Sequence, residues 1–182
     1  MFESIKNCDR CSLCKHQKPL IDEVEICRVF WVGLSAKIAT CEKEKPLSPN
    51  TNSGSLLCEV ERKCVGVPMY RTNLVKCAPQ NEVGKLRYPN RIEIDLCLPH
   101  LGFEIDALKP QIVFLLGNRV IDAVGRYFSI SFDKWDGFSY SFQKHGDVYF
   151  APIHHPSYIY VYKRKRIDAY ISGIEKVMTR LL

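Results

Sequence analysis

The stretch Ile112-Val-Phe-Leu-Leu-Gly117 is a continuous apolar run that ends at a glycine. Three other runs have the same character, and each predicts a strand that is buried on both faces of a sheet. The four predicted strands are Arg28 to Gly33, Thr72 to Val75, Ile112 to Gly117 and Val148 to Pro152.

Helical patterns fill the intervals between these runs. A capping residue before an apolar stripe predicts a helix start, and apolar residues three or four apart predict the buried face. The predicted helices begin at Ser53 or Ser55 and extend through Cys64, begin at Pro89 or Asn90 and extend to Leu108 with a break at Pro99, cover residues 118–124, and follow the stripe from Ile167 to Leu181. Strands alternating with helices favour an α/β sandwich around a parallel sheet.

Length and composition are typical of a compact globular protein. The chain has 182 residues, of which 46% are hydrophobic and 25% are charged, and this predicts one domain over residues 1–182. The first residues lack a signal-peptide core, and no apolar run approaches the roughly 18 residues of a membrane span. We therefore expect a cytoplasmic protein. The net charge of +6 suits an anionic partner but is too small to identify one.

Nine cysteines are present, an odd number that argues against a complete set of disulfides. A C-x-x-C pair lies near the start, within residues 8–14, and two further cysteines bracket a distant turn-rich segment. We predict that four thiols meet at one metal centre: Cys8, Cys11, Cys77 and Cys97. A first pair made of Cys11 and Cys14 is the alternative. By ligand type, zinc and an iron–sulfur cluster fit equally well.

Candidate functional residues follow every predicted strand at its carboxyl end, which is where ligands bind in parallel sheets. These residues are Gly33 to Lys37, Asn73 and Lys76, Gly117 to Arg119, and His154 to Ser157. Because the carboxyl ends of parallel strands lie at one edge of the sheet, we predict that these residues form one shared site.

Five short motifs share one order along the chain. They are Cys8-Asp-Arg-Cys11-Ser-Leu13, Gly54-Ser-Leu-Leu57, Arg71-Thr-Asn73-Leu-Val-Lys-Cys77, Ile94-Asp-Leu-Cys97 and Ile153-His-His155-Pro-Ser157. Each motif is weak alone, but the series resembles the iron–sulfur, family 4-like branch of the uracil-DNA glycosylase superfamily. The resemblance implies a three-layer α/β/α sandwich around a central, mainly parallel four-stranded sheet, and a monomer that acts on DNA.

The resemblance also implies a reaction and a set of site residues. The reaction is hydrolysis of the N-glycosidic bond of a flipped-out uracil or modified pyrimidine, which leaves an abasic site. Asn73 would read the base, His155 would stabilise the departing anion through a neutral imidazole N–H, and Ser35 is the third catalytic candidate. The implied base-binding residues are Gly33, Leu34, Ala36, Lys37, Leu47 and Asn73, and the implied DNA contacts are Gly54, Ser55, Ser157 and Tyr158. A [4Fe–4S] cluster on Cys8, Cys11, Cys77 and Cys97 is implied in preference to zinc.

The predicted base pocket departs from the family pattern. The family has G-E-x-P-G where this chain has Gly33-Leu-Ser-Ala-Lys37, so the acidic residue that helps to exclude thymine is absent. Leu47 replaces the aromatic residue that stacks on uracil. Three interpretations follow: uracil with altered efficiency, a bulkier modified pyrimidine of foreign DNA, or an inactive iron–sulfur relative that recognises damaged or single-stranded DNA. The retained Asn73 and His155 argue against lost catalysis. Base-excision repair and defence against modified foreign DNA both fit this chemistry.

Charged residues near the predicted site leave further alternatives open. Lys37 is either an amine nucleophile that would add lyase activity or, as we prefer, a phosphate contact. Glu42 and Glu44 follow, but nothing in the sequence places either in the pocket. The basic run Lys163 to Arg166 is either a cation patch beside the site or a solvated helix start. A more distant alternative is a zinc-bearing nucleotide-binding protein without a DNA partner.

Overall fold

The computed structural model describes residues 2–41 and 43–182 and is built on one five-stranded sheet. The strands are β1 (Val29–Ser35), β2 (Met69–Val75), β3 (Ile112–Leu116), β4 (Gln143–His145) and β5 (Val148–Ile153). Their order across the sheet is β2-β1-β3-β5-β4. The four predicted strands are present and mutually parallel, as expected.

The predicted count of four strands is wrong by one. Strand β4 is a short edge strand that pairs antiparallel with β5. Its residues Gln143, Lys144 and His145 are polar, and the last two are exposed. A search for buried apolar runs therefore could not find it, because an edge strand needs no apolar sequence.

Six α-helices surround the sheet in the described residues. They are α1 (Glu3–Lys6), α2 (Asn52–Lys63), α3 (Arg91–Leu108), α4 (Asn118–Phe128), α5 (Pro156–Tyr162) and α6 (Ile167–Leu181). Helices α3 and α4 pack on one face of the sheet, and α2, α5 and α6 pack on the other, which confirms the three-layer sandwich. No helix in residues 2–41 and 43–182 combines the length and apolar character that a membrane span requires.

Side chains of each central strand alternate between the two helical layers. On β1, Phe30 and Val32 pack in the α3–α4 layer, whereas Val29 and Trp31 pack in the layer of α2, α5 and α6. Trp31 stacks on Phe114 of β3 with 4.7 Å between ring centroids. Because both faces are covered, the strands carry continuous apolar runs rather than an alternating pattern.

Helix starts and interruptions differ in part from the predictions. Thr51, not Ser53 or Ser55, caps α2, and its hydroxyl accepts a hydrogen bond from the Gly54 N–H at 3.0 Å. Asn90 caps α3 through a complete capping box with Glu93, as predicted. The expected break at Pro99 does not occur. The buried apolar face of α3 continues past this proline and offsets the lost backbone hydrogen bond.

Candidate functional site

A cavity of about 850 Å³ opens at the carboxyl ends of the parallel strands. Each of the four parallel strands ends at its wall, with Ser35 in β1, Asn73 in β2, Leu116 in β3 followed by Gly117, and His155 two residues after β5. Residues from all four predicted strand ends therefore meet at one site, as the sequence predicted, but Lys76, His154 and Ala36 do not line it.

Asn73 lies opposite Gly33 in the register of β2 and β1, and its side chain reaches the cavity wall. A Cβ atom on residue 33 would lie 2.3 Å from Asn73 Oδ1, so the close approach requires glycine there. Asn73 is only 2% exposed, and its Oδ1 has no hydrogen-bond partner among the described residues. The only other such side-chain atom in those residues is Nε1 of Trp31, which lies in the core. A buried acceptor without a donor is costly unless a ligand supplies that donor.

His155 follows β5 and faces the same cavity. Its Nδ1 accepts a hydrogen bond from the backbone N–H of Ser157 at 3.2 Å, so the neutral ring carries its proton on Nε2. Burial lowers the pKa of the His155 imidazole and favours this neutral form. Gly117, with φ +88°, lets the β3–α4 turn pass close behind the ring, since a Cβ there would lie 3.0 Å from His155 Cβ. The result is a neutral imidazole with one N–H free to donate.

The neighbouring His154 points into an aromatic cluster. Its Nδ1 lies 3.0 Å from the Tyr140 hydroxyl, and its ring packs on Trp135 at 4.1 Å between centroids. It is not part of the cavity wall. Of the two adjacent histidines, His155 is therefore the one positioned for chemistry.

The loop after β1 divides between the cavity and the core. Leu34, Ser35 and Lys37 line the cavity, but Ala36 is buried and its N–H donates to Val75 O at 2.9 Å. The buried position of Ala36 therefore gives no support to its predicted contact with a base.

Lys37 makes an ion pair with Glu44, with 3.0 Å between Nζ and Oε2. Burial opposes ionisation of the Glu44 carboxyl, but hydrogen bonds from Thr40, Lys37 and Ser48 outweigh it and hold its pKa at about 2. The ion pair with Glu44 thus occupies the Lys37 amine, which does not favour a role as a nucleophile. Glu42 lies outside the described residues.

Leu47 forms part of the cavity wall and has the left-handed φ of 49°. Arg71 Nη1 donates to its carbonyl at 2.7 Å and fixes this conformation. Gly54 is buried directly behind it, since a Cβ there would lie 2.0 Å from Ser48 O. The structure thus gives Gly54 a packing role, and neither it nor Ser55 lies on the cavity wall. Their contact with DNA stays a prediction.

Three serine and tyrosine side chains form the wall next to α5. Ser157 and Tyr158, both predicted to contact DNA, line the cavity. Ser53, which the sequence analysis missed as a site residue, lines it as well, and its hydroxyl lies 2.7 Å from that of Ser157. This bond ties the start of α2 to the start of α5.

Behind Asn73 lies a buried polar network that the sequence did not reveal. Lys76 Nζ donates to Glu104 Oε2 at 2.6 Å, to Thr72 Oγ1 at 2.6 Å and to Asn73 O at 2.7 Å. The other Glu104 oxygen accepts from the Tyr70 hydroxyl at 2.9 Å. Lys76 and Glu104 are 1% and 0% exposed. The sequence did contain one sign of this network, which is that Glu104 lies on the apolar face of a helix. A glutamate in such a position needs a buried partner.

Five cysteines gather on the α3 side of the sheet. Cys77 and Cys97 are buried, and burial together with the neighbouring thiols of Cys97, Cys11, Cys14 and Cys8 raises the pKa of Cys77. The backbone N–H of Lys76 lies 3.4 Å from Cys97 Sγ, and His100 Nε2 lies 3.1 Å from Cys8 Sγ. Across residues 2–41 and 43–182, however, no three metal-binding side chains are arranged to hold a single metal ion.

Comparison with known proteins assigns the family. The family model described as "Uracil DNA glycosylase superfamily" matches residues 17–177. The chain therefore belongs to the uracil-DNA glycosylase superfamily.

Two of the chain's relatives are Type-4 uracil-DNA glycosylases. The Type-4 uracil-DNA glycosylase of Pyrobaculum aerophilum is 36% identical over 136 residues, which are 69% of this chain and 65% of that protein. The Type-4 uracil-DNA glycosylase of Sulfurisphaera tokodaii is 32% identical over 113 residues, which are 58% of this chain and 49% of that protein. The chain thus spans less than two thirds of either relative. Wild-type Pedobacter heparinus SMUG2 aligns over 85% of this chain and 77% of its own at 13% identity, and its TM-score of 0.49 is too low to add to the assignment.

Proposed function

We propose that the protein is a DNA glycosylase that hydrolyses the N-glycosidic bond of a flipped-out uracil or modified pyrimidine and leaves an abasic site. The observation that carries this proposal is that Asn73, whose buried Oδ1 lacks a donor, and His155 line the same cavity. The chain's similarity to Type-4 uracil-DNA glycosylases supports the same activity.

Base recognition would use the wall around Asn73. The unpartnered Oδ1 would accept the N3–H of a pyrimidine, and the donor–acceptor pattern of the amide would complement its Watson–Crick edge. Leu47 would pack against the base through an aliphatic side chain that offers contact area without stacking between aromatic rings. The absence of the family's acidic residue in the Gly33 to Lys37 loop is consistent with tolerance of a larger base.

Bond cleavage would depend on His155. As the bond between C1′ and N1 of the base breaks, its electron pair leaves with the base, and negative charge develops on O2. The Nε2–H of neutral His155 would donate to that oxygen, which is the usual way a preorganised donor lowers such a barrier. A water molecule held near Ser35 would add its oxygen to C1′, and its proton would neutralise the released base.

We further propose a structural [4Fe–4S] cluster held by Cys8, Cys11, Cys77 and Cys97. A single tetrahedral zinc ion on the same four thiolates is the alternative occupant. Besides burial, the thiols of Cys11, Cys14 and Cys8 all raise the pKa of Cys77, so the N-terminal cysteines lie beside it. The C-x-x-C pair of the family pattern falls on Cys8 and Cys11, which leaves Cys14 as the surplus thiol. The cluster would tie the N-terminal segment to β2 and α3.

An inactive DNA-binding relative is the second candidate, because residue 34 is leucine where the family pattern G-E-x-P-G has an acidic residue. A glycosylase assay separates the two. Single- and double-stranded DNAs containing uracil, hypoxanthine, hydroxymethylated or glucosylated pyrimidines would be incubated with the protein, and alkali would cleave the abasic sites. We expect release of one base, lost in His155→Ala. No release from any DNA, with binding intact, would refute the glycosylase and favour the inactive relative.

The released base also bears on biological role. Release of uracil would support a role in base-excision repair, whereas release of a hydroxymethylated or glucosylated pyrimidine would support defence against modified foreign DNA.

A further inference from the structure

Exposed tyrosines stand on the rim of the large cavity. Tyr158 and Tyr162, four residues apart on α5, are 42% and 73% exposed, and their ring centroids lie 5.7 Å apart. Tyr88 on the opposite rim is 68% exposed, with the Arg119 guanidinium 4.2 Å from its ring centroid. All four residues line the cavity. A contiguous exposed aromatic surface, such as the Tyr158–Tyr162 pair, is typical of a binding site, whereas single exposed residues are not.

A second cavity of about 450 Å³ lies between α6 and the segment before β4. Among its described lining residues are three cations, Arg166, Lys176 and Arg180, and no carboxylate. Arg166 lies over the ring of Phe138 at 5.0 Å, and Arg180 over that of Phe142 at 5.1 Å. The cavity therefore combines positive charge with flat aromatic surface, and no part of the proposed reaction uses it.

The basic run Lys163 to Arg166 connects the two cavities. Tyr162 belongs to the wall of the first cavity and Arg166 to the wall of the second, so the connecting backbone spans at most about 14 Å. All four residues of the run are exposed. Within the described part of the chain, none of them, nor Lys176 or Arg180, lies within 4.0 Å of a carboxylate. These cations are thus free to bind an anionic ligand.

We infer that the tyrosine rim, the basic run and the second cavity form one track for single-stranded DNA. The inference rests on the proposed function, since the strand in this track would be the one whose base enters the large cavity. Tyrosine faces stack on unpaired bases, whereas the bases of a duplex are already stacked on one another. The cations would follow the phosphates of the same strand, and the rings of Phe138 and Phe142 would hold Arg166 and Arg180 in the second cavity. The track therefore selects single strands over duplex.

Binding to DNA without any target base tests this inference separately from catalysis. Fluorescence anisotropy would compare a labelled 20-nucleotide single strand lacking uracil and modified bases with its duplex. We expect the single strand to bind about 10-fold more tightly than the duplex, and Tyr162→Ala to weaken single-strand binding by about 10-fold. Tyr162→Phe, which keeps the ring, should bind like the wild type. Tyr127→Ala is the matched control, because Tyr127 is 45% exposed on α4 and lies outside the track.

Salt dependence tests the second cavity. Arg180→Gln and Lys176→Gln should each reduce the slope of log affinity against log salt by about 0.7, the value for one lost phosphate contact on a single strand. Arg126→Gln on α4 is the control and should leave the slope unchanged. Melting temperatures of all variants would identify any that are misfolded.

Each of three results would overturn the inference. The first is duplex binding as tight as single-strand binding, and the second is a Tyr162→Ala variant that behaves like Tyr127→Ala. The third is an unchanged salt slope in both Arg180→Gln and Lys176→Gln, which would remove the second cavity from the track. A protein that binds single strands as expected but releases no base would refute the proposed function and leave this inference intact.

Discussion

Strand β2 carries buried polar groups on both of its faces. Those on one face are all hydrogen-bonded, whereas an acceptor on the other face has no partner. On the α3 side, Tyr70 and Thr72 join Lys76 and Glu104 in a network in which every polar side-chain atom has a partner. On the opposite side, Asn73 Oδ1 is just as buried and has none. Complete pairing is what a structural network requires, whereas an unpaired buried acceptor beside a cavity marks a place for a ligand.

The two faces are nevertheless joined. Lys76 Nζ donates to the backbone oxygen of Asn73, and the Lys76 N–H points to Cys97 Sγ. The Lys76–Glu104 network thus supports the backbone that carries the Asn73 side chain. This network lies between the Asn73 amide and the cysteines. Changes on the paired side should mainly affect folding, and changes on the cavity side should mainly affect activity.

The largest effect is expected where the paired side meets the cysteines. Cys97→Ser should lose most of the bound iron and sulfide per chain and lower the melting temperature by more than any other single change, because ligation and folding are coupled. Cys14→Ser is the matched control and should keep both. A Cys97→Ser protein that stays coloured and equally stable would contradict the ligand assignment. Loss of iron in Cys14→Ser but not in Cys8→Ser would identify Cys11 and Cys14 as the first pair.

The next largest effect should come from breaking the buried ion pair. Glu104→Gln leaves the Lys76 ammonium without its counter-charge, which costs about 3–5 kcal/mol of unfolding free energy and lowers the melting temperature by roughly 10 °C. Asp106→Asn, at an exposed position of the same helix, is the control and should have little effect. Equal stability of the two variants would show that the network does not support the fold.

Activity should respond most strongly to His155. His155→Ala removes the donor to the departing base and should lower kcat by about 100-fold, with little change in substrate affinity. Since burial depresses the pKa of His155 below its ordinary value of 6.5, its stabilising contribution is complete above pH 6.5 and declines as the pH falls below that value. The rate of base release by the wild type should likewise be highest above pH 6.5 and decrease as the pH falls. A rate that rises on acidification through this range would contradict a neutral imidazole donor.

The smallest effect is expected at Lys37. Because the Lys37 amine is already paired with Glu44, Lys37→Gln should reduce the salt slope of single-strand DNA binding by no more than about 0.7 and leave base release within a fewfold of the wild type. Lys144→Gln on the edge strand is the control. Borohydride should trap no covalent adduct with the wild-type protein. An adduct that disappears in Lys37→Gln would instead establish lyase activity.

Much of the fold followed from the sequence for a simple physical reason. Strands buried on both faces must be apolar throughout, so the four parallel strands were visible as runs, and their shared edge located the cavity. The order of the motifs around Asn73 and His155 then indicated the family.

Other features depended on contacts that a sequence pattern does not encode. The edge strand β4 is polar, so it had no apolar signal. Thr51 was missed as a cap because serines at 53 and 55 are equally good capping residues, and only the packing of Gly54 on Ser48 decides among them. The partners of Lys76 are set by tertiary contact across 28 residues of sequence. The pairing of Lys37 with Glu44 likewise appears only when the loop is folded.

The Asn73 side chain is expected to bind a base and to contribute little to the stability of the fold. The most direct test is to measure base release and urea unfolding on the same samples of wild type and Asn73→Ala. We predict a fall in kcat/KM of about 10- to 100-fold, the value of one lost hydrogen bond to a ligand, with unfolding free energy unchanged within about 0.5 kcal/mol. Equal base release by both proteins, or a loss of stability as large as that of Glu104→Gln, would contradict the account.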